Sequence, residues 1–98
     1  MILSKEQIQK AINDYFTKKP VKRVWLFGSY ARGEANEESD LDVLVDFEDN
    51  KKIGLRYLIW HEVIERIVNK KVQVVSNDAV SKHIRPFIDA DKVLVYEK

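Results

Sequence analysis

A glycine-serine pair that closes one apolar run, followed by two aspartates that open the next, constrains this chain more than any other feature. The first run ends in Gly28 and Ser29. Ten residues later, Asp40 and Asp42 open the second run, residues 41–47. Short apolar runs bounded by turn residues are typical of buried strands. Because glycine has no Cβ, a strand that ends in Gly-Ser can present backbone N–H groups to an anion such as a phosphate.

The two aspartates point to the same side of a strand, because side chains alternate along it. Asp40 and Asp42 are then about 6.5 Å apart along the chain and repel each other unless a cation lies between them. Magnesium is held in this way by one or two carboxylates together with substrate phosphates. A Gly-Ser turn or an acidic strand start is common on protein surfaces when it occurs alone. The two together, beside two predicted strands, indicate a site for magnesium and substrate phosphates.

Composition narrows the class of protein further. The 98 residues predict a single domain, 1–98, and the net charge of +1 is too small for the basic field typical of nucleic-acid binding. A nucleotide or a protein partner is expected instead. The chain has no cysteine, no apolar signal-peptide core at its polar start and no apolar run of membrane-spanning length. We therefore expect a cytoplasmic protein.

Hydrophobic periodicity predicts helices that alternate with short strands. Ser4 and Gln7 form a capping box at the start of the first helix. The predicted elements are a helix over 4–18, a strand over 21–27, a helical turn from Ser29 to Gly33, a strand over 40–47, a helix over 51–69 and a strand over 72–75. A further helix is predicted after residue 76; it carries Val80, Ile84, Phe87 and Ile88, and Pro86 kinks or ends it. A turn at 89–91 and a strand over 92–96 follow. This order predicts an α/β (α+β) domain, with a small mixed sheet of about four strands packed with helices.

The helix predicted over 51–69 is apolar around much of its circumference. Its core-facing stripe is predicted to be Ile53, Tyr57, Trp60, Ile64 and Ile67, while Leu55, Ile59 and Val63 lie off that stripe. A small sheet does not need so wide an apolar surface. We therefore expect part of the second set to be covered by a partner protein or by a second copy of the chain.

The segment 28–42 resembles the signature of the nucleotidyltransferase superfamily. The strings Gly-Ser-Tyr-Ala-Arg-Gly at 28–33 and Ser-Asp-Leu-Asp at 39–42 are similar, in particular, to the minimal nucleotidyltransferases that pair with HEPN-domain proteins in toxin–antitoxin systems. The similarity extends to residues 85–88 and 93–96 and so covers most of the chain. It implies the nucleotidyltransferase fold and magnesium-dependent transfer of a nucleoside monophosphate, AMP from ATP, to a hydroxyl group of a protein such as a HEPN toxin.

The resemblance also implies roles for individual residues. Asp40 and Asp42 are the expected catalytic and metal-binding residues, and the expected nucleotide-binding residues are Gly28, Ser29, Arg32 and Ser39. Two alternatives stay open for Arg32, a phosphate contact or a surface ion pair with Glu34 or Glu37. Ser39 is expected to orient Asp40 or the loop backbone. His61 and His83 lack metal-ligand spacing and are interpreted as ordinary helix residues.

Gln73 is the departure from the family pattern. The resemblance places a third carboxylate at this position of the strand after the long helix, and this chain has glutamine there. A glutamine offers a metal one neutral oxygen, but it cannot act as a base. Two hypotheses follow: a nucleotidyltransferase whose activity is slow or uses one metal ion, or a nucleotide-binding, antitoxin-like interaction module without turnover.

Overall fold

A computed structural model of the protein describes residues 2–48 and 59–98. The elements are α1 (Lys5–Phe16), β1 (Val21–Phe27), α2 (Ser29–Arg32), β2 (Leu41–Phe47), α3 (Trp60–Val68), β3 (Val72–Ser76), a 3-10 turn (Asn77–Ala79), α4 (Arg85–Asp91) and β4 (Val93–Glu97). The strands form one mixed sheet in the order β3-β2-β1-β4. Strand β1 is antiparallel to both β2 and β4, whereas β2 and β3 are parallel. The predicted mixed sheet of four strands with helices is thereby confirmed.

Helix α1 begins at the capping box expected from the sequence. The Gln7 N–H donates to Ser4 Oγ at 3.1 Å, and the Ser4 N–H donates to Gln7 Oε1 at 2.8 Å. Ile8, Ile12 and Phe16 follow at four-residue spacing and are fully buried. Burial of a large apolar side chain stabilises the fold by roughly 1.5–3 kcal/mol, so this stripe fixes α1 on the sheet.

Strand β2 separates the core from the candidate site. Leu41, Val43 and Val45 have no exposed surface and belong to the core cluster that includes residues of α1 and α3. Because side chains alternate along a strand, Asp42 and Leu44 lie on the opposite face of the sheet. Alternation thus buries one face of β2 and leaves a half-buried carboxylate on the other.

Helix α3 matches the sequence prediction only in part. Residues 51–58, with Ile53, Leu55 and Tyr57 of the prediction, lie outside the described residues. Trp60 and Ile64 are buried as predicted, but the prediction for Ile67 is wrong, since its side chain is 53% exposed and Val68 is buried in its place. Positions three and four residues after Ile64 both lie near its face of the helix, and packing against the sheet selects the second. Ile59 and Val63 are exposed, as expected.

The prediction for the chain after β3 is also wrong in part. One helix carrying Val80 was expected, with Pro86 as its kink or end. The structure instead has the 3-10 turn, an extended residue at Val80 and then α4, with Pro86 in its first turn. The first turn of a helix leaves its N–H groups without intrahelical partners, so the missing proline N–H costs nothing there. Residues 89–91, predicted as a turn, complete α4. No helix in the described ranges is long and apolar enough to cross a membrane.

Candidate functional site

The turn after β1 brings the backbone of Gly28 against the carboxylate of Asp42. Gly28 precedes α2 with a φ of +78°, a conformation that side chains with a Cβ rarely adopt. A Cβ atom on Gly28 would lie 2.4 Å from Asp42 Oδ2. Both the backbone conformation and the available space therefore require glycine. No side chain caps α2, so its first N–H groups remain available to an anion.

The strand register aligns the glycine turn, the acidic strand and the glutamine. Phe27, the residue before Gly28, pairs with Asp42 across the antiparallel strands, and Asp42 pairs with Gln73 across the parallel strands. Paired residues on neighbouring strands point to the same face and lie about 4.8 Å apart. Gln73 therefore stands beside Asp42 and is exposed to solvent.

Asp42 lies in an environment that opposes its ionisation. Burial, and second the negative charge of Asp40, raise its pKa to about 6, while the positive charge of Arg32 acts in the opposite direction. A carboxylate with this environment gains from a nearby cation, because the cation compensates for both the lost water and the neighbouring charge. Asp40 itself is exposed. The pair thus combines one exposed and one half-buried carboxylate on the side of the sheet where Gly28 turns.

Arg32 is engaged by two carboxylates. Its Nε atom donates to Glu34 Oε2 at 3.2 Å and its Nη1 atom donates to Asp91 Oδ2 at 2.7 Å. The ion pair with Glu34 is one of the alternatives open from the sequence. The pair with Asp91 was not foreseen, because it joins α2 to the end of α4 across 59 residues of chain.

Ser39 organises the loop that leads to Asp40. Its Oγ accepts a hydrogen bond from the Asn36 N–H at 2.9 Å, and Asn36 Oδ1 accepts one from the Glu38 N–H at 2.8 Å. The next strand is then fixed by the Leu41 N–H, which donates to the Lys71 carbonyl oxygen at 2.9 Å. The expected contact of Ser39 with the loop backbone is therefore present.

A cavity of about 510 Å³ opens beside the acidic pair, along the outer side of β3. It is lined by Asp40, His61, Glu65, Lys71, Val72, Gln73 and Val74. His61 and Glu65 come from α3 and were not expected at the site. Their spacing of four residues could have placed them on one face of a helix, but nothing local indicates that this face borders the strand edge. A separate, mainly apolar cavity of about 350 Å³ lies near α1 and α2 and is lined by neither aspartate.

The donor set fits a cation that brings ligands of its own. Across residues 2–48 and 59–98, no group of three or more histidine, cysteine, aspartate or glutamate side chains is arranged to hold a metal ion. Asp40 and Asp42 supply two carboxylates, whereas Gln73, which pairs with Asp42 across the parallel strands, supplies a neutral amide. Magnesium commonly binds to one or two carboxylates and takes phosphate and water oxygens as its remaining ligands.

Comparison with known proteins identifies the family. The nucleotidyltransferase domain family matches residues 5–95. The chain belongs to this family. It is 36% identical over 93 residues to a Methanocaldococcus jannaschii protein provisionally named protein adenylyltransferase MJ1379, and the match covers 93% of each chain. It is 35% identical over 75 residues to the protein adenylyltransferase MntA of Thermococcus cleftensis, covering 76% of this nucleotidyltransferase and 75% of the relative.

Solved structures agree with this assignment. One, provisionally identified as a minimal nucleotidyltransferase, is 30% identical and superposes with a TM-score of 0.72, covering 90% of this chain and 89% of that one. A complex of a tri-AMPylated Shewanella oneidensis HEPN toxin with an MNT antitoxin contains a chain that superposes with a TM-score of 0.65 at 16% identity, covering 95% of this chain and 69% of that chain. The second likeness shows the shared fold alone. The resemblance seen in the sequence is thus confirmed.

Proposed function

We propose that this nucleotidyltransferase transfers AMP from ATP to a hydroxyl group of a protein, with a HEPN-domain protein as the acceptor. The observation that carries the proposal is the packing of the Gly28 turn against Asp42, with Asp40 beside it, in a chain whose relatives are named protein adenylyltransferases. The AMPylated HEPN toxin held by an MNT antitoxin supports the choice of acceptor.

The nucleotide binds, in this proposal, where α2 begins. Backbone N–H groups after Gly28 and the Ser29 hydroxyl donate to the phosphates, and the Arg32 guanidinium lies within electrostatic reach of Asp42 on the same side. Asp40 and Asp42 would hold Mg²⁺ together with those phosphates. A bound magnesium ion neutralises charge on the phosphoryl group that is transferred.

The transfer is a displacement at the α-phosphorus of ATP. A bond forms between the acceptor hydroxyl oxygen and the α-phosphorus, and the bond from that phosphorus to the bridging oxygen of the β-phosphate breaks. Pyrophosphate leaves, and the hydroxyl proton passes to water. The Gln73 amide cannot accept that proton, because its nitrogen is not basic and its oxygen is a weak, neutral acceptor. Positioning of the two reactants, together with the charge that Mg²⁺ would neutralise, supplies most of the catalysis.

A second function rests on Gln73 itself. With a neutral amide beside Asp42 where the family pattern has a carboxylate, the chain would bind nucleotide and partner without turnover. The exposed apolar side chains of Ile59, Val63 and Ile67 on one face of α3 favour a role in protein contact under either function.

One experiment separates the two functions. The chain is incubated with α-labelled ATP, Mg²⁺ and a HEPN-domain protein, with Asp42→Asn as the control. Label on the HEPN protein that disappears in the control supports adenylyl transfer. Nucleotide binding and complex formation without label on the HEPN protein support the binding module and contradict the proposed enzyme.

A further inference from the structure

The outer edge of β3 leads directly into the cavity that contains Asp40 and Gln73. Strand β3 is the terminal strand of the sheet order, and β2 is its neighbour. The Lys71 carbonyl oxygen accepts from Leu41 of β2, whereas the Val72 N–H points away from β2 and donates to Glu65 Oε2 at 3.0 Å. In a parallel ladder, alternate residues direct their N–H and C=O groups to the same side. Val74 therefore directs both of its backbone groups outward, into the cavity that its residue lines.

The outward N–H and C=O of Val74 are available for hydrogen bonding, whereas the edge of β3 on either side of them is engaged or buried. Within the described ranges, no other residue donates to or accepts from the outward N–H and C=O of Val74. Towards the start of β3, the Val72 N–H donates to the Glu65 carboxylate. Towards its end, Ser76 is buried where the 3-10 turn begins. The edge thus offers one residue for pairing, which suits brief capture of a substrate segment better than a permanent added strand.

The sheet geometry connects this edge to the reaction site. A segment paired beside β3 would lie about 4.8 Å beyond it, with every second side chain on the face that carries Gln73 and Asp42. A residue of that segment that lies beside Gln73 would be on the same face of the sheet as Asp42 and Gln73, one strand further out. A hydroxyl-bearing side chain at that place would therefore point to the side of the sheet on which the acidic pair lies.

We propose that the acceptor hydroxyl is presented by an extended peptide segment of the partner protein whose backbone pairs with Val74 at the edge of β3. This inference rests on the proposed function and adds to it the conformation of the acceptor and the place where it docks. The walls of the cavity agree with a peptide occupant, since His61, Glu65 and Lys71 supply both donors and acceptors around the open edge. The apolar side chains of Val72 and Val74 face the core and leave backbone groups as the main recognition elements.

The test compares two substitutions at one position. Val74→Pro removes the outward N–H, which is not part of the β2 ladder, while Val74→Ala keeps it and shortens the side chain. With α-labelled ATP and the HEPN-domain protein, Val74→Pro should lower kcat/KM for the protein acceptor about fivefold relative to Val74→Ala, as expected for one lost hydrogen bond, with KM for ATP unchanged. Equal kcat/KM values for the two variants overturn the inference.

A second measurement does not depend on transfer or on the folding of the proline variant. Amide hydrogen exchange of Val74 is followed in the unmodified chain with Mg²⁺, a non-hydrolysable ATP analogue and the HEPN-domain protein. Exchange at Val74 should slow at least tenfold when that protein is added. Unchanged exchange overturns the inference, as does protection that appears without the HEPN protein and grows with chain concentration, since that marks a second copy at the edge.

The two failures are distinguishable. If the HEPN protein receives no label from the unmodified chain, the proposed function fails, and exchange at Val74 alone decides whether a partner segment docks there. If the HEPN protein is labelled, but exchange at Val74 does not slow and the proline and alanine variants have equal kcat/KM values, the function stands and the docking edge is wrong.

Discussion

A methyl group on Gly28 would lie 2.4 Å from the nearer carboxylate oxygen of Asp42. The glycine-serine turn and the aspartate strand, fourteen positions apart in the sequence from Gly28 to Asp42, are therefore in direct contact through one backbone atom and one side chain. The contact explains why the turn contains glycine before any phosphate is considered. It also means that a change on either side displaces the other.

Gly28→Ala should destabilise the protein and abolish its response to nucleotide. The substitution places a Cβ at a positive φ and against Asp42, so we expect a loss above about 1 kcal/mol and a melting temperature lower by more than about 4 °C. Gly33→Ala is the matched control, because Gly33 has a φ of +74° but nothing within 4 Å of the added Cβ. It should lose stability while keeping the rise in melting temperature caused by ATP with Mg²⁺. An intact response in Gly28→Ala would contradict the assignment.

The metal-free protein should become less stable as the pH rises from 4 to 7 because of Asp42. Burial and the charge of Asp40 raise the folded-state pKa of Asp42 to about 6 from 3.8. The folded state then binds this proton more tightly than the unfolded chain, so the protonated form stabilises the fold below pH 4 and that contribution disappears as the pH passes 6. The melting temperature of Asp42→Asn, measured in EDTA, should equal that of the unmodified chain near pH 4 and exceed it above pH 6. A difference that does not vary with pH would refute the pKa shift.

Gln73→Asp should increase Mg²⁺ affinity and the rate of AMP transfer. Gln73 pairs with Asp42 in the register and is exposed, so a carboxylate there adds negative charge to the metal site without being buried. In EDTA the variant should melt at a slightly lower temperature, because three carboxylates repel one another. Gln73→Asn, which shortens the side chain by the same amount and stays neutral, is the control. A transfer rate no higher in Gln73→Asp than in Gln73→Asn would show that a third carboxylate is not what limits this chain.

The apolar face of α3 should carry the contact with the partner protein. Ile59, the residue before α3, is 63% exposed and Ile67 in its last turn is 53% exposed, with Val63 between them. Ile59→Lys and Ile67→Lys should each weaken binding of the HEPN-domain protein at least tenfold in calorimetry, with less than about 0.5 kcal/mol change in stability. Ile84→Lys serves as the control, since Ile84 is 54% exposed but precedes α4. If all three variants bind equally well, the face is not the interface.

The parts of this fold that follow from local sequence signals were predictable. The capping box starts α1 because Ser4 and Gln7 need only each other and the nearby backbone, and the alternation in β2 requires only the period of a strand. The strand boundaries around Asp42 agreed within one residue for the same reason. Local periodicity was less reliable where two positions satisfied it equally, as with Ile67 and Val68, because distant packing decided between them.

Contacts between distant segments were not available from the sequence. Asp91 reaches Arg32 only because the fold brings the end of α4 beside α2, and His61 enters the cavity only because α3 packs against β3. Pro86 predicts a kink or the end of a helix, although the same lack of an N–H suits the first turn of a helix. Whether Pro86 ends a helix or stands in its first turn depends on where the preceding extended segment ends, and the identity of one residue does not determine that.

Because Arg32 is paired with two carboxylates, a phosphate that approached it would not meet an unpaired cation. The guanidinium already holds Glu34 at 3.2 Å and Asp91 at 2.7 Å, so contact with a phosphate replaces one anion by another instead of satisfying a bare cation. The net gain in affinity is then the difference between two ion pairs, and the one with Glu34 is solvent-exposed and therefore weak. Asp91 is the last residue of α4, so its ion pair with Arg32 joins α2 to the end of α4. A phosphate that took the place of Asp91 would therefore break a contact between α2 and the segment that leads into β4.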